Sequence, residues 1–261
     1  SRLLSFGGAY SNHLYALAIA GARYGFATLG VIRGERPAHL SPTLQDAEQA
    51  GMQLIFISRA AYQRKTFTHL LDEWRKQFGD FYVIPEGGAG VPGARGLTVM
   101  ARALEAQLEG DYTAVCIACG TGTSLAGLAA GLTAVGRSDK PALGFSVLKG
   151  DGGLGTGIAE TYRQLCAKHN ASGDDRSHNA ANWRLISGFH AGGYGKKHPA
   201  YLFDFWRIFE QETGIPLDPV YTLKMMWGIH CLAQQGYWPR GTRIVAIHSG
   251  GLQGRRGFVC P

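Results

Sequence analysis

Short apolar runs alternate with helical patterns along the whole chain, and that alternation most constrains the fold. "RLLSF" reads as a strand and residues 12–24 as a helix. "ATLGVIRG" is a strand, followed by the helix "SPTLQDAEQAG", with Ser41 as N-cap, Pro42 in its first turn and Gly51 as its stop. "MQLIFIS" is a strand, 62–79 an amphipathic helix and "FYVIP" a strand. "GGAGVPGARG" then breaks the rhythm, as a crossing between subdomains does. The scheme repeats with a helix over 94–109, the strand "YTAVCIAC", a helix over 123–135, the strand "ALGFSVL" and a helix over 155–169. The polar run 170–182 reads as an exposed loop. The short strand "WRLIS", helices over 199–213 and 220–235, and the strand "RIVAIHSGG" close the chain. Apolar strands separated by helices imply an α/β protein with parallel sheets covered on both faces. Ligands in such folds sit beyond the carboxyl ends of the strands.

The 38 glycines cluster at those same strand ends without a fixed period, so they read as tight turns and ligand loops. The formal charge is +7, but the basic residues are scattered, with no long stripe interleaved with aromatics. Nucleic acid is therefore not the expected partner, and a phosphorylated or carboxylate ligand accounts for the mild excess. The five cysteines are an odd, sparse set that fits a reducing compartment, the cytoplasm, better than a disulfide framework. Cys116 and Cys119 have CxxC spacing, yet three residues apart in a strand they face opposite ways, which favours core packing over metal binding. Residues 112–136 carry no charge and contain Gly127-x-x-x-Gly131. Five glycines, four threonines and a serine make them a poor membrane span, so they read as strand, loop and small-residue helix.

Two loops offer ligand chemistry. In "ACGTGTSLAGL", Gly120 and Gly122 allow close backbone approach, and Thr121, Thr123 and Ser124 supply hydroxyls. The following helix adds unpaired N–H groups and the positive end of its dipole. The loop lacks the lysine of a nucleotide P-loop, and Leu125 stands where GxGxxG needs glycine, so a phosphate monoester suits it better than ATP or NAD. The alternative is an ordinary strand–helix turn. In "GGAYSNH", Ser11, Asn12 and His13 stand at a helix start, where donors suit a carboxylate. The alternatives there are a plain N-cap and a structural histidine. Tyr194 lies between glycines, and Tyr221 and Thr222 follow a proline at a helix start, so each tyrosine faces a cleft or packs in the core. Ser249, Gly250 and Gly251 form a further turn that could face a ligand.

"SFGGAYSNH", "VIPEGGAGVPGARG", "CGTGTSLAGL", "FHAGGYGKKHP", "LDPVYTLKMM" and "IHSGG", in that order, resemble the 1-aminocyclopropane-1-carboxylate deaminase and D-cysteine desulfhydrase family across the whole chain. These are fold-type-II, tryptophan-synthase-β-like enzymes that use pyridoxal 5′-phosphate (PLP). The resemblance implies two three-layer α/β/α subdomains, a smaller one over 1–86 and a larger one over 87–261. It implies that Gly120, Thr121, Gly122, Thr123 and Ser124 hold the PLP phosphate, and that Asn12 bonds the ring hydroxyl. Ser11 takes the substrate carboxylate, with Asn12 and His13 beside it. Tyr194 and Tyr221 face a small amino-acid substrate, and Thr222 lies near the pyridine nitrogen. Glu usually stands at that last place in the cyclopropane-opening deaminases, where it keeps the ring nitrogen protonated. Thr cannot, which turns the expectation toward β-elimination giving pyruvate and ammonia. A homodimer is usual in the family, and no membrane is implied.

The family's Schiff-base lysine precedes the "GGxxSN" loop. Here only Ser1 to Ser5 do, and none is Lys. The chain is accordingly expected to start inside the fold, truncated before that lysine and inactive as it stands, with Lys149 the one substitute amine at a strand end. The two glycine-lined turns, 7–13 and 120–124, are expected to grip opposite ends of one aromatic phosphoester. The rival readings are a non-catalytic module that binds PLP or an amino acid, and an unrelated α/β enzyme for a phosphorylated metabolite.

Overall fold

A computed structural model describes the chain apart from residues 65–66, 151, 170–181, 195–197 and 259–261, and apart from the side chains of 168 and 169. The chain divides into two compact units. The first comprises Ser1–Gly88 and Gln253–Val259, and the second Ala89–Leu252 with the last two residues.

The first unit holds a four-stranded sheet of β1 (Arg2–Gly7), β2 (Ala27–Arg33), β3 (Gln53–Ile57) and β4 (Tyr82–Val83), in the order β3-β2-β1-β4. Every pairing is parallel. Side chains alternate between the faces, as strand geometry requires. Leu4, Phe6, Leu29 and Val31 pack with Tyr62 of α3 (Arg59–Arg64) and Trp74 of α4 (Thr68–Phe78). Ile32 and, partly buried, Leu3 pack with α1 (Asn12–Tyr24) and α2 (Pro42–Gln49) through Leu14, Leu17, Leu44 and Ala47. The Ser41 hydroxyl accepts from Leu44 N–H at 3.3 Å, Pro42 opens α2, and Gly51 follows its end with φ +90°.

The second unit repeats the design with β5 (Ala114–Cys119), β6 (Ala142–Ser146), β7 (Trp183–Ile186) and β8 (Ile244–Ala246), in the order β7-β6-β5-β8, again all parallel. Val115, Ile117 and Cys119 face α7 (Thr123–Ala134) and α8 (Leu154–His169). Ala114, Cys116 and Ala118 face the layer that holds Met225 of α10 (Thr222–Gln234), while α9 (Ala200–Thr213) precedes α10 in the chain. The two cysteines of "CIAC" thus lie in opposite core layers, and burial pushes both thiols up to about 12. Cys260 lies outside the described residues.

Residues 112–136 form β5 and the 12-residue α7, and among the described residues no helix is long and apolar enough to cross a membrane. The Gly127/Gly131 pair serves helix packing. A Cβ on Gly127 would lie 2.2 Å from the Ala94 carbonyl oxygen, and one on Gly131 2.5 Å from that of Thr98. The backbones of α5 (Val91–Leu97) and α6 (Val99–Gln107) can approach α7 that closely only over glycine.

Three elements differ from the sequence reading. In place of the helix expected over 62–79 stand α3, which starts earlier at Arg59 because the Ser58 hydroxyl accepts from Ala61 N–H, and α4. The helix expected over 94–109 begins at Val91, with proline in its first turn, and is divided at Thr98, whose N–H and hydroxyl both turn back to the Arg95 carbonyl. The last strand is three residues long rather than nine, because beyond Ile247 the chain leaves the ladder and the His248 ring bonds the Pro216 carbonyl. Of the expected loop 170–182, all but Asn182 lies outside the described residues.

Candidate active site

The loop Gly120–Ser124 joins the carboxyl end of β5 to α7. Gly122 has φ +78° and caps α7 without a side-chain acceptor, so the first N–H groups of the helix remain available to a ligand. A Cβ on Gly122 would sit 2.4 Å from Ile158 Cγ1, so α8 holds the turn from behind. The Thr121 and Thr123 hydroxyls are 2.9 Å apart. Thr123 is buried and Ser124 half-buried, while Thr121 is exposed at the mouth. Thr121 lines a pocket of about 570 Å³ with Lys149, Leu154, Gly157, Gly193 and Tyr194.

Tyr194 and Tyr221 meet at the same loop. A Cβ on Gly120 would lie 3.0 Å from Tyr194 Oη and 3.3 Å from Tyr221 Cε1. The two rings are 5.9 Å apart between centroids at 57°, and the hydroxyl oxygens are 3.4 Å apart. That separation is long for an O–H···O bond. Thr222 is fully buried. Its Oγ1 accepts from Asp218 N–H at 2.8 Å and donates to the Asp218 carbonyl at 3.3 Å.

Two residues of this region carry no obvious sequence signal. Asp218 is buried, and its Oδ1 accepts from Tyr221 N–H at 2.5 Å and from Thr222 N–H at 3.3 Å, which fixes the start of α10. Burial raises its carboxyl to about 6 against those bonds and the nearby Lys224 charge. Lys224 is buried one turn into α10, and its Nζ donates to the Gly193 carbonyl. Burial lowers it to about 8, opposed by Asp218. A lysine inside the apolar run "TLKMMW", three residues after Tyr221 and so on the same helix face, is the only hint that the sequence offers.

Ser11, Asn12 and His13 belong to the first unit. The Ser11 hydroxyl is the N-cap of α1, accepting from Leu14 N–H at 3.2 Å. A Cβ on Gly7 would fall 2.6 Å from that hydroxyl. Asn12 Oδ1 accepts from Gln253 Nε2 at 2.5 Å, which directs the Asn12 amide nitrogen elsewhere as a donor. His13 Nε2 lies 2.7 Å from Ser5 Oγ, whose own proton goes to the Ile84 carbonyl at 2.9 Å. Ser5 can then only accept from the ring, so Nε2 carries the proton and Nδ1 is an acceptor. Burial lowers the His13 pKa, partly offset by Glu86. At the last turn, Gly250 N–H donates to His248 Nδ1 at 3.2 Å.

The donor set suits PLP. A glycine cradle that a Cβ would fill, an uncapped helix start, three hydroxyls and an aromatic pair beside a pocket match a phosphate attached to a flat ring. Comparison with known proteins agrees. The family model described as "Pyridoxal-phosphate dependent enzyme" matches residues 5–250. A protein of Pyrococcus furiosus, provisionally named a 1-aminocyclopropane-1-carboxylate deaminase, is 26% identical over 97% of this chain and 74% of its own length. The 1-aminocyclopropane-1-carboxylate deaminase of Ralstonia pickettii is 28% identical over 72% of this chain and 56% of its own. The crystal structure of an ACC deaminase homologue superposes with a TM-score of 0.82 at 25% identity, covering 97% of this chain and 75% of the other. With residues 5–250 matched by one family model, this chain belongs to the pyridoxal-phosphate dependent enzymes, in their fold-type-II branch.

Proposed function

We propose that the protein is a PLP-dependent lyase for a small amino acid, by preference a D-cysteine-like one, releasing pyruvate, ammonia and sulfide. The single observation carrying this reading is the convergence of Gly120, Tyr194 and Tyr221, which puts two phenol groups against the glycine end of a phosphate loop. When bound, PLP supplies an electron sink for the substrate α-carbon.

The chain's own residues bind and direct. The Thr121, Thr123 and Ser124 hydroxyls and the N–H groups opening α7 take the phosphate, aided by the helix dipole. Asn12, its oxygen engaged by Gln253, offers Nδ2 to the ring oxygen. Ser11, through its main chain, and His13, beside it, frame the substrate carboxylate. Tyr194 and Tyr221 can pass a phenol proton to a departing sulfur. Thr222 has committed its proton to the Asp218 carbonyl, so it is no acid for a ring nitrogen. That favours loss of a good leaving group over opening of a carbon ring. The names of the relatives favour the second reading, deamination of the cyclopropane amino acid to 2-oxobutyrate.

The test pairs binding with turnover. PLP should raise the melting temperature progressively with its concentration, and ribose 5-phosphate should not. With PLP present and the family's upstream lysine supplied, D-cysteine should yield pyruvate, and Tyr221→Phe should lower that rate by about 10²-fold. 2-Oxobutyrate from the cyclopropane substrate, with no pyruvate from D-cysteine, would replace the first reading by the second. Equal protection by the sugar phosphate would overturn both.

A further inference from the structure

The functional scheme leaves unused a charged group that the fold has gone to some expense to bury. Lys224 is 1% exposed and stands in α10 between Leu223 and Met225, themselves 0% and 1% exposed. Taking an ammonium out of water costs several kcal/mol unless it is paired and hydrogen-bonded. Lys224 meets that cost with a bond to the Gly193 carbonyl, the peptide oxygen immediately before Tyr194, and with the nearby carboxylate of Asp218. Burial, with the Lys224 charge adding to it, holds the His198 ring down to about 4 and therefore neutral.

The segment that Lys224 grips is conformationally demanding. Ala191, Gly192 and Gly193 have φ of +45°, +89° and +88°. Gly192 and Gly193 take such angles freely, whereas the left-handed Ala191 persists only where surrounding bonds over-determine it. Two such bonds are internal, from Gly193 N–H to the His190 carbonyl at 2.9 Å and from Gly192 N–H to His190 Nδ1 at 3.1 Å. The bond from Lys224 ties the segment to a helix. Tyr194 itself is 48% exposed, so burial does not fix its ring. Tyr221, the N-cap of α10 three residues earlier, stands against that ring with centroids 5.9 Å apart. One helix thus holds both the peptide and the ring of the same residue.

We propose that Lys224 is a positioning residue, whose ammonium pins the Gly193 peptide so that the Tyr194 hydroxyl stands beside Tyr221 and Gly120. The proposal rests on the reading of Tyr194 as a group that faces the substrate.

Lys224→Met keeps the stem and removes the donor. In the full chain with PLP, amide exchange over 188–194 should quicken by about tenfold while exchange in β5 is unchanged. The rate of product release should fall by about tenfold with KM held within about threefold, since the loss concerns orientation. Lys224→Met should cost nothing further in a Tyr194→Phe background, because the lysine acts through that hydroxyl. Asp218→Asn, which keeps an oxygen for the α10 N–H groups and leaves the lysine bond in place, should not alter exchange over 188–194. If Lys224→Met fails to fold, Lys224→Met with Asp218→Asn removes both buried charges and gives the same readout. Unchanged exchange over 188–194, equal acceleration in β5, or additive losses with Tyr194→Phe would each overturn the proposal. If no amino acid is turned over, the exchange data still decide the role of Lys224, and only the substrate reading falls.

Discussion

Gly122→Ala separates two physical reasons for the shape of the phosphate loop. The first is backbone conformation. Gly122 has φ +78°, and an L-residue held there costs ~1–2 kcal/mol. The second is packing. The new Cβ would lie 2.4 Å from Ile158 Cγ1, 2.9 Å from its Cδ1 and 3.0 Å from Leu154 Cδ1. Ile158 is 1% exposed within the layer formed by α7 and α8, so its atoms have no solvent to swing into. Overpacking of this kind costs ~1–3 kcal/mol. Together they come to ~2–5 kcal/mol, a large part of the ~5–15 kcal/mol that holds an ordinary domain folded. Urea unfolding should show the loss, and PLP affinity should fall about tenfold for each ~1.4 kcal/mol of phosphate contact that the displaced loop forfeits. Ile158→Ala empties the space that the new methyl needs. In the double variant the steric part should vanish and the conformational part remain, giving a coupling of ~1–3 kcal/mol between the two sites. A Gly122→Ala protein within about 0.5 kcal/mol of the parent, or a double variant additive within about 0.5 kcal/mol, would refute the argument.

Two further outcomes follow from the buried polar groups. The Asp218 carboxyl titrates at about 6 in the folded chain, above its unfolded value of 3.8, so the folded state holds the extra proton between those pH values. Relative to Asp218→Asn, the parent should therefore lose ~2–3 kcal/mol of stability as pH rises from about 4 to about 6, and denaturant unfolding that shows a flat or rising difference would contradict this. Ser5→Ala removes the acceptor of the His13 Nε2 proton and should cost ~1–3 kcal/mol. Nitrogen NMR of His13 should then show both tautomers populated where the parent shows one, and an unchanged spectrum would remove Ser5 from its proposed control of the ring.

Most of the architecture was legible because it depends on short-range pattern. Alternating apolar strands and helices imply parallel sheets, and both four-stranded sheets are parallel throughout. Ser41 and Pro42 are local signals and start α2 where they stand. The errors arose where a side chain or carbonyl outside the pattern intervened: Ser58 at α3, Thr98 at the break before α6 and Pro216 at His248. The site divides in the same way. Glycine spacing and hydroxyls marked the loop Gly120–Ser124 as a candidate, whereas Asp218, Lys224 and Ser5 are polar residues inside apolar runs, and no period distinguishes them from ordinary polar residues.

By itself, then, the sequence determined the α/β fold class and the parallel strand–helix alternation, because periodicity, capping and glycine content act over a few residues. The tertiary structure alone decided that the described residues from Gln253 onward return to the first unit, that Gly127 and Gly131 admit the backbones of α5 and α6, and that Lys224 directs its charge to the peptide before Tyr194. Those outcomes depend on which distant groups are brought within hydrogen-bond or van der Waals range, and that proximity is a property of the packed chain.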